Sequence, residues 1–284
     1  MNKNVDYDDF KNSFDSNCLV TSRIGCVESS FILKYKYNQR VKNSHFDYTT
    51  KENDFYMKKN AGLYYKNKNN KKKVLDWWIK NACEFIEKST LTSCFSVLNY
   101  DLALWKALNL KDKNFYNWGE LHKFILKNSC GKKLLYVGNG VKSIEHSFSN
   151  NIFKKGWNFA INDFSLECLE CPQTTLGMPY PDESIIETTE ILFKKICDLD
   201  FDTAIFGCGA YGPPLINYLN NHFKQNKNLI YLGSSCFSMF CIYSEGMPIN
   251  YNDTDVISEN WIKVLEKCPE QCKNIDAGKY WSTI

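Results

Sequence analysis

Arg23 and Glu28 stand five residues apart in the run Arg23-Ile24-Gly25-Cys26-Val27-Glu28. The arginine ends an apolar, strand-like stretch, Cys18-Leu19-Val20-Thr21, and the glutamate falls one turn into the helix that follows, so both side chains can face one cleft. A guanidinium in that place holds phosphate or carboxylate oxygens in a fork, and a carboxylate takes a proton from a hydroxyl or helps coordinate a divalent ion. The plain alternative is an ion pair at a strand end, of the weak kind common on surfaces. Glycines form the second set. Gly138-Asn139-Gly140, Gly207-Cys208-Gly209-Ala210-Tyr211-Gly212 and Gly233-Ser234-Ser235 each follow a short apolar run. A missing side chain lets a diphosphate approach backbone N–H groups, although it equally permits a tight strand-to-helix turn. Three such corners on one edge favour a binding site over three unrelated turns. Asp163, after the apolar run 157–161, is a second candidate carboxylate, with a turn or helix cap as its alternative.

Other chemistries are poorly supplied. Cys168-Leu-Glu-Cys171 and Cys268-Pro-Glu-Gln-Cys272 could clamp one zinc through four thiolates, but zinc spacings are tighter than this and thirteen cysteines make chance pairs frequent. His45, His122, His146 and His222 are too few and too scattered for a histidine-based site, and they read as surface or helix residues. Gly207–Gly212 has the spacing G-x-G-x-x-G, yet it follows the third strand of its half and no carboxylate follows the next strand to hold a ribose. A nicotinamide enzyme is therefore disfavoured.

These residues need a scaffold, and the scaffold is an alternation of apolar runs with amphipathic stretches. From residue 131 to 235 strands are expected at 134–137, 157–161, 203–206 and 229–232, with helices at 141–148, 182–197 and 213–223. That rhythm is the signature of a Rossmann-like, mostly parallel sheet flanked by helices, in which ligands bind beyond the carboxyl ends of the strands. Before it lie an N-terminal strand-helix unit with its helix at 27–37, a further helix at 74–88, a short strand at 95–98, and helices at 101–110 and 118–127. Residues 38–73 lose the hydrophobic period and accumulate Lys and Asn, which reads as a mobile, solvated insertion in one α/β domain spanning 1–284.

Composition narrows the partner. Thirty-five Lys and Arg against 32 Asp and Glu leave a net charge of +3, too balanced to draw nucleic acid by bulk attraction. No stretch approaches the length of a transmembrane span, and scattered, odd-numbered cysteines with no apolar leader point to free thiols in a reducing, cytoplasmic setting. Self-association as a homo-oligomer is left open.

The residues singled out above also carry a resemblance. The chain resembles the GT-D-type glycosyltransferases and their uncharacterised viral and bacterial relatives, which begin with Arg-(aromatic or aliphatic)-Gly-x-x-Glu. Further matches follow in order: Asn60-Ala61-Gly62, Gly131-Lys132-Lys133-Leu134-Leu135 leading to Ser143-Ile144, Phe201-Asp202-Thr203-Ala204 with Gly207–Gly212, then Leu232-Gly233 and Gly278-Lys279-Tyr280-Trp281. They span nearly the whole chain.

The resemblance implies transfer of a sugar from a UDP- or GDP-sugar donor to a glycan or other hydroxyl acceptor. It implies donor contacts from Arg23, Gly25, Asn60, Gly138, Gly140, Ser143, Gly207, Gly209, Tyr211, Gly212, Gly233 and Ser234, with Glu28 near the donor phosphates and, with Asp163, as a candidate catalytic carboxylate. The family's Asp-x-Glu is changed here, with Cys26 in place of the Asp, so the metal, Mn2+ or Mg2+, stays an open assignment. Ser234-Ser235-Cys236 also replaces the family's glycine-rich continuation. The competing readings are an S-adenosylmethionine-dependent methyltransferase on the same sheet and a non-catalytic nucleotide-binding relative.

Overall fold

The computed structural model describes residues 7–38, 54–93, 100–110, 114–116, 118–175, 177–244 and 258–267. Seven strands, β1 (Val20–Arg23), β2 (Leu91–Ser93), β3 (Asn114–Tyr116), β4 (Lys133–Gly138), β5 (Ser165–Glu170), β6 (Thr203–Gly207) and β7 (Asn228–Tyr231), form one sheet in the order β3-β2-β1-β7-β6-β4-β5. Every neighbouring pair is parallel, with registers such as Gly138↔Gly207 and Thr21↔Ile230. The fold is thus the expected Rossmann-like α/β arrangement, and the N-terminal strand belongs to the same sheet.

Residues along the central strands alternate between two hydrophobic layers. Leu135, Val137, Ala204, Phe206, Leu229 and Tyr231 enter one. Leu134, Tyr136, Ile205, Ile230 and Leu232 enter the other. Burial on both faces is what turns these strands into continuous apolar runs. The first layer is covered by α2 (Cys26–Tyr37), α3 (Lys71–Lys88), α4 (Tyr100–Ala107), α8 (Ile185–Cys197) and α9 (Gly212–Phe223). The second is covered by α1 (Tyr7–Asp15), α5 (Trp118–Asn128), α6 (Val141–Ser149), α7 (Ile152–Gly156) and α10 (Cys236–Met239). A short parallel pair, β8 (Ile242–Tyr243) and β9 (Ile262–Lys263), follows α10.

Two expectations are corrected. The run 157–161 is not a strand; Trp157 is buried and its indole donates to Met239 O at 3.1 Å, so its apolar side chains serve packing. The strand lies instead at β5, an edge strand whose alternating polar residues carry no apolar run. The strand expected at 95–98 lies outside the described residues, and β2 is formed by Leu91–Ser93. Helix α8 begins after Ser184 rather than Asp182.

The described part of the expected mobile insertion is folded. Residues 54–73 bury Met57, Leu63, Tyr64 and Tyr65, and Asp54 is buried against Lys71 at 2.8 Å and Lys58 at 3.3 Å. Burial works to raise the Asp54 carboxyl, but the bonds from Lys71 and Tyr65 and the Lys58 charge outweigh it and hold the group below its ordinary value. A chain of hydroxyls then fastens this segment to the sheet. Thr188 Oγ1 donates to Asp182 at 2.6 Å, the Tyr64 hydroxyl bonds Thr188 and Tyr211, Tyr211 meets Thr174 Oγ1 at 3.0 Å, and Thr174 donates to Gly62 O at 2.7 Å.

Removing one member of a buried hydroxyl chain strands its neighbours. Tyr64→Phe is expected to lower the unfolding free energy by ~1–3 kcal/mol, read from urea melts at pH 7. A midpoint unchanged from wild type would remove the chain from the interactions that hold 54–73 in place.

Candidate functional site

The helices that follow neighbouring strands diverge. β1 and β6 lead to α2 and α9 on the first layer, whereas β7 and β4 lead to α10 and α6 on the second. Strand ends whose connections part to opposite faces leave a crevice at the carboxyl edge, and that is where open α/β sheets bind ligands. Along β1-β7-β6-β4 every neighbouring pair parts in this way, and the expected arginine and glycine corners lie at the β1/β7 and β6/β4 crevices.

At the β1/β7 crevice, Arg23 is half-buried and its Nη1 donates to Leu232 O at 2.9 Å. Gly233 follows with φ of 58°, and a Cβ there would lie 2.5 Å from Arg23 Nη1. Any other residue at 233 would be strained and would displace the guanidinium. Arg23 is one of only two arginines, with Arg40, in a chain carrying 35 Lys and Arg together. An arginine kept where lysine serves almost everywhere else marks a position that uses the planar fork.

Glu28 is the third residue of α2, whose N-cap Gly25 lies two residues beyond the end of β1. Its carboxylate folds back onto Gly25, into the place a Cβ would take. This is the geometry of a capping-box glutamate, seated at the positive end of the helix dipole. Ser29 beside it is fully buried, its hydroxyl without a hydrogen-bond partner. Tyr231 links the two sides. Burial pushes its phenol well up, Glu28 and Cys208 add to the rise, and Arg23 opposes it; the hydroxyl donates to Gly209 O at 3.0 Å.

The third participant comes from distant sequence. A single π-helical turn, Met57–Ala61, ends at Gly62 and brings half-buried Asn60 to the end of β6. Contact there is backbone to backbone, since a Cβ at Gly209, whose φ is 53°, would lie 2.6 Å from Ala61 O. Trp78 Nε1 donates to Ala210 O at 2.7 Å from the helix layer. Arg23, Gly25, Glu28, Asn60, Gly209, Gly233 and half-buried Ser234 therefore share one stretch of the carboxyl edge.

The β6/β4 crevice is filled by the chain itself, which corrects several expected donor contacts. A Cβ at Gly138 would meet Tyr136 Oη at 2.5 Å and Gly207 O at 2.8 Å, and one at Gly207 would meet Cys236 Sγ at 3.1 Å. Gly140 lies under Phe237, and Gly212 under Tyr231. Ser143 is also spoken for: its N–H donates to Glu266 Oε1 at 3.1 Å, its hydroxyl to Glu266 Oε2, and Leu265 N–H donates to Ser143 Oγ at 2.8 Å. Tyr211 is buried, with its hydroxyl in the chain that anchors 54–73. Asp163 is corrected more sharply. It precedes β5, so it lies at the amino edge of the sheet, exposed and paired with Lys154.

Sequence reasoning missed His122. It was grouped with surface or helix histidines, and it is on α5, but fully buried. Ile125 and Leu126, three and four residues on, were the available signal, because they share its helix face. Among the described residues no group of three or more His, Cys, Asp and Glu side chains could hold a metal ion. Hard cations take several oxygen ligands, and Cys26 beside Glu28 does not supply them, so the donor set at the crevice does not fit Mn2+ or Mg2+. Cys268, Cys272 and the motif 278–281 lie outside the described residues. Among the described residues no helix is long and apolar enough to cross a membrane. No protein family, no curated protein and no solved structure matches this chain.

Burial, and after it the Arg23 charge, push the His122 imidazole from 6.5 down to about 3. The unfolded chain takes up this proton near pH 6.5 and the folded chain does not, so the stability present above that pH is lost as pH falls toward 3. Unfolding free energy measured from pH 7 to pH 4 is expected to drop with a His122 component approaching ~1.4 kcal/mol per pH unit. His122→Phe should flatten the curve by that amount, and parallel curves for the two proteins would contradict this.

Proposed function

We propose that this chain is a glycosyltransferase that moves a sugar from a nucleotide-diphosphate donor, a UDP- or GDP-sugar, to a hydroxyl of a glycan or other acceptor. The observation that carries the reading is the β1/β7 crevice, where the Arg23 guanidinium lies against the bare backbone of Gly233 and where Arg23 and Glu28 both bear electrostatically on Tyr231. A diphosphate leaving group needs positive charge and N–H donors already aimed at the oxygens on which charge accumulates. Arg23 supplies the first, and the backbone at Gly233 and Ser234 supports the second. Glu28 acts as the base that takes the acceptor proton, a role that needs hydrogen-bond reach of the hydroxyl. No step is routed through a metal.

Filling of the β6/β4 crevice by Tyr136, Cys236 and Phe237 weighs against the methyltransferase reading, because the first glycine corner of this half would have to receive the cofactor.

Arg23→Lys keeps a charge but cannot both reach Leu232 O and hold an oxyanion in a fork. It should weaken donor binding by about tenfold or more, the scale of one lost hydrogen bond to a charged group. Glu28→Gln keeps a capping-competent side chain, so its melting curve should match wild type while donor turnover is lost. Calorimetric titration with UDP- and GDP-sugars, run beside S-adenosylmethionine and followed by a donor-hydrolysis assay, checks both variants. Tight donor binding without turnover assigns the chain to the non-catalytic class, and S-adenosylmethionine binding alone overturns the proposal.

A further inference from the structure

Seven lysines stand between residues 58 and 73, and no Asp or Glu occurs from 55 to 75. Of the chain's 35 Lys and Arg, the 28 outside this segment are outnumbered by 32 Asp and Glu, so the whole positive excess resides here. Three of the seven are engaged within the fold: Lys58 and Lys71 hold buried Asp54 at 3.3 and 2.8 Å, and Lys66 meets Glu183 at 3.4 Å. Lys59, Lys68, Lys72 and Lys73 make no ion pair among the described residues, and the last three are exposed. Lys71, Lys72 and Lys73 form the first turn of α3, with no acidic residue among them. Like charge is thus stacked on the positive end of a helix dipole. The packing of α3 does not call for it, since its buried face begins at Val74 and Leu75.

The lysines have a definite place in the fold. α3 runs antiparallel to the strands: just past its C-terminal end Thr90 N–H donates to Val20 O at 2.8 Å, at the start of β1. Trp78, seven residues after Lys71, donates to Ala210 O at 2.7 Å just beyond the end of β6. From Trp78 back to Lys71 the helix rises about 10 Å further, so its lysines overhang the carboxyl edge. Lys59 reaches the same edge from the π-helical turn, where it precedes Asn60 and Ala61, whose carbonyl lies against Gly209. Four unpaired cations therefore rim the edge that carries the β1/β7 crevice.

We propose that this rim is the acceptor surface and that the acceptor is an acidic glycan, with carboxylate or phosphate groups recurring along its length. The proposal deepens the sugar-transfer reading and rests on it for the reaction. The transfer step is unchanged: the acceptor oxygen forms the new bond to the sugar as the bond to the diphosphate breaks, and Glu28 takes the acceptor proton. The donor diphosphate does not need these lysines, because a guanidinium holds its oxygens in a fork at one fixed place. Exposed lysines on long stems act instead as separate point charges. Each contact is weak, and several together hold a polymer whose charges repeat. Positive potential along the rim of a cleft also raises the local concentration of an anionic substrate. The position of the rim, at the edge where transfer would occur, favours a partner that enters the reaction over a nucleic acid or an anionic membrane.

Calorimetric titration of the full chain with oligogalacturonate, and with a maltooligosaccharide of equal length, tests this in three proteins. The rim variant changes Lys59, Lys68, Lys72 and Lys73 to Gln. A charge-matched control changes exposed Lys155, Lys194, Lys195 and Lys224, on helix ends that lead back to the amino edge. Oligogalacturonate should bind wild type and control alike and the rim variant about tenfold more weakly, the combined scale of several exposed contacts. The maltooligosaccharide should not distinguish the three. The rim variant should melt at or above wild type, because it removes charge that opposes the α3 dipole. Absence of oligogalacturonate binding, equal binding by wild type and rim variant, or an equal loss in the control overturns the proposal. Tighter binding of wild type to single-stranded DNA or to phosphatidylglycerol vesicles also overturns it, and assigns the rim to that partner. Donor titrations keep the two readings apart. A wild type that binds oligogalacturonate through the rim but neither UDP- nor GDP-sugar upholds the acidic-glycan surface and overturns the sugar-transfer reading alone.

Discussion

A guanidinium resting on a glycine backbone at the meeting of two parallel strands is the contact on which the rest of this site depends. β1 and β7 pair over a short register, Val20↔Leu229 and Thr21↔Ile230, and beyond it the chain leaves β1 toward one helical layer and β7 toward the other. The Arg23 side chain bridges the resulting gap and returns a hydrogen bond to Leu232 O. That bond ties the end of the N-terminal strand to the end of a strand some two hundred residues later. The sheet order makes this possible, because β1, first in sequence, lies beside β7, the last of the seven strands, which is the central one. The site and the closure of the fold are thus the same contact.

Much of the scaffold was legible because a strand buried on both faces has no way to hide its composition. Leu134-Leu135-Tyr136-Val137 and Thr203-Ala204-Ile205-Phe206 had to be apolar, and they were read as strands for that reason. β5 was not, since an edge strand with Ser165, Glu167 and Glu170 exposed among half-buried neighbours has neither an apolar run nor a demand for one. Trp157 misled for the converse reason: a large apolar residue serves helix packing as readily as strand pairing. In 54–73 the lysines and asparagines obscured a few buried anchors, Met57, Leu63, Tyr64 and Tyr65, whose spacing follows a π-helical turn and a hydroxyl chain rather than either regular period. Periodicity cannot register such a segment.

For the site, residue type was a better guide than loop chemistry. Arg23, Glu28 and Gly233 stand out by kind and order; the guanidinium lies against Gly233, and Glu28 folds over Gly25 at the start of α2. The glycine corners were harder to weigh, since a glycine is equally needed where a ligand approaches and where a neighbouring side chain does. Gly140 and Gly207 admit Phe237 and Cys236, an exclusion that only the packing reveals. Glu266 was beyond reach of sequence reasoning, because its bond to Ser143 joins residues 123 apart through no recognisable pattern.

The filled crevice also bears on why the β1/β7 corner carries an arginine. With Ser143 and the α6 N-terminus committed to the carboxylate of Glu266, the positive end of that helix is already compensated and holds little attraction for a second anion. At β1/β7 the balance differs. Glu28 compensates the α2 N-terminus, as Glu266 does for α6, so helix dipole alone would leave both corners equally unattractive to phosphate. What distinguishes them is the extra charge of Arg23, partly withdrawn from water and held by groups around it. A partly desolvated guanidinium interacts more strongly with an oxyanion than a solvated lysine, and being planar it loses less freedom in doing so. The asymmetry between the two crevices thus comes down to one side chain, and a diphosphate choosing between them would be drawn to the corner that Arg23 commands.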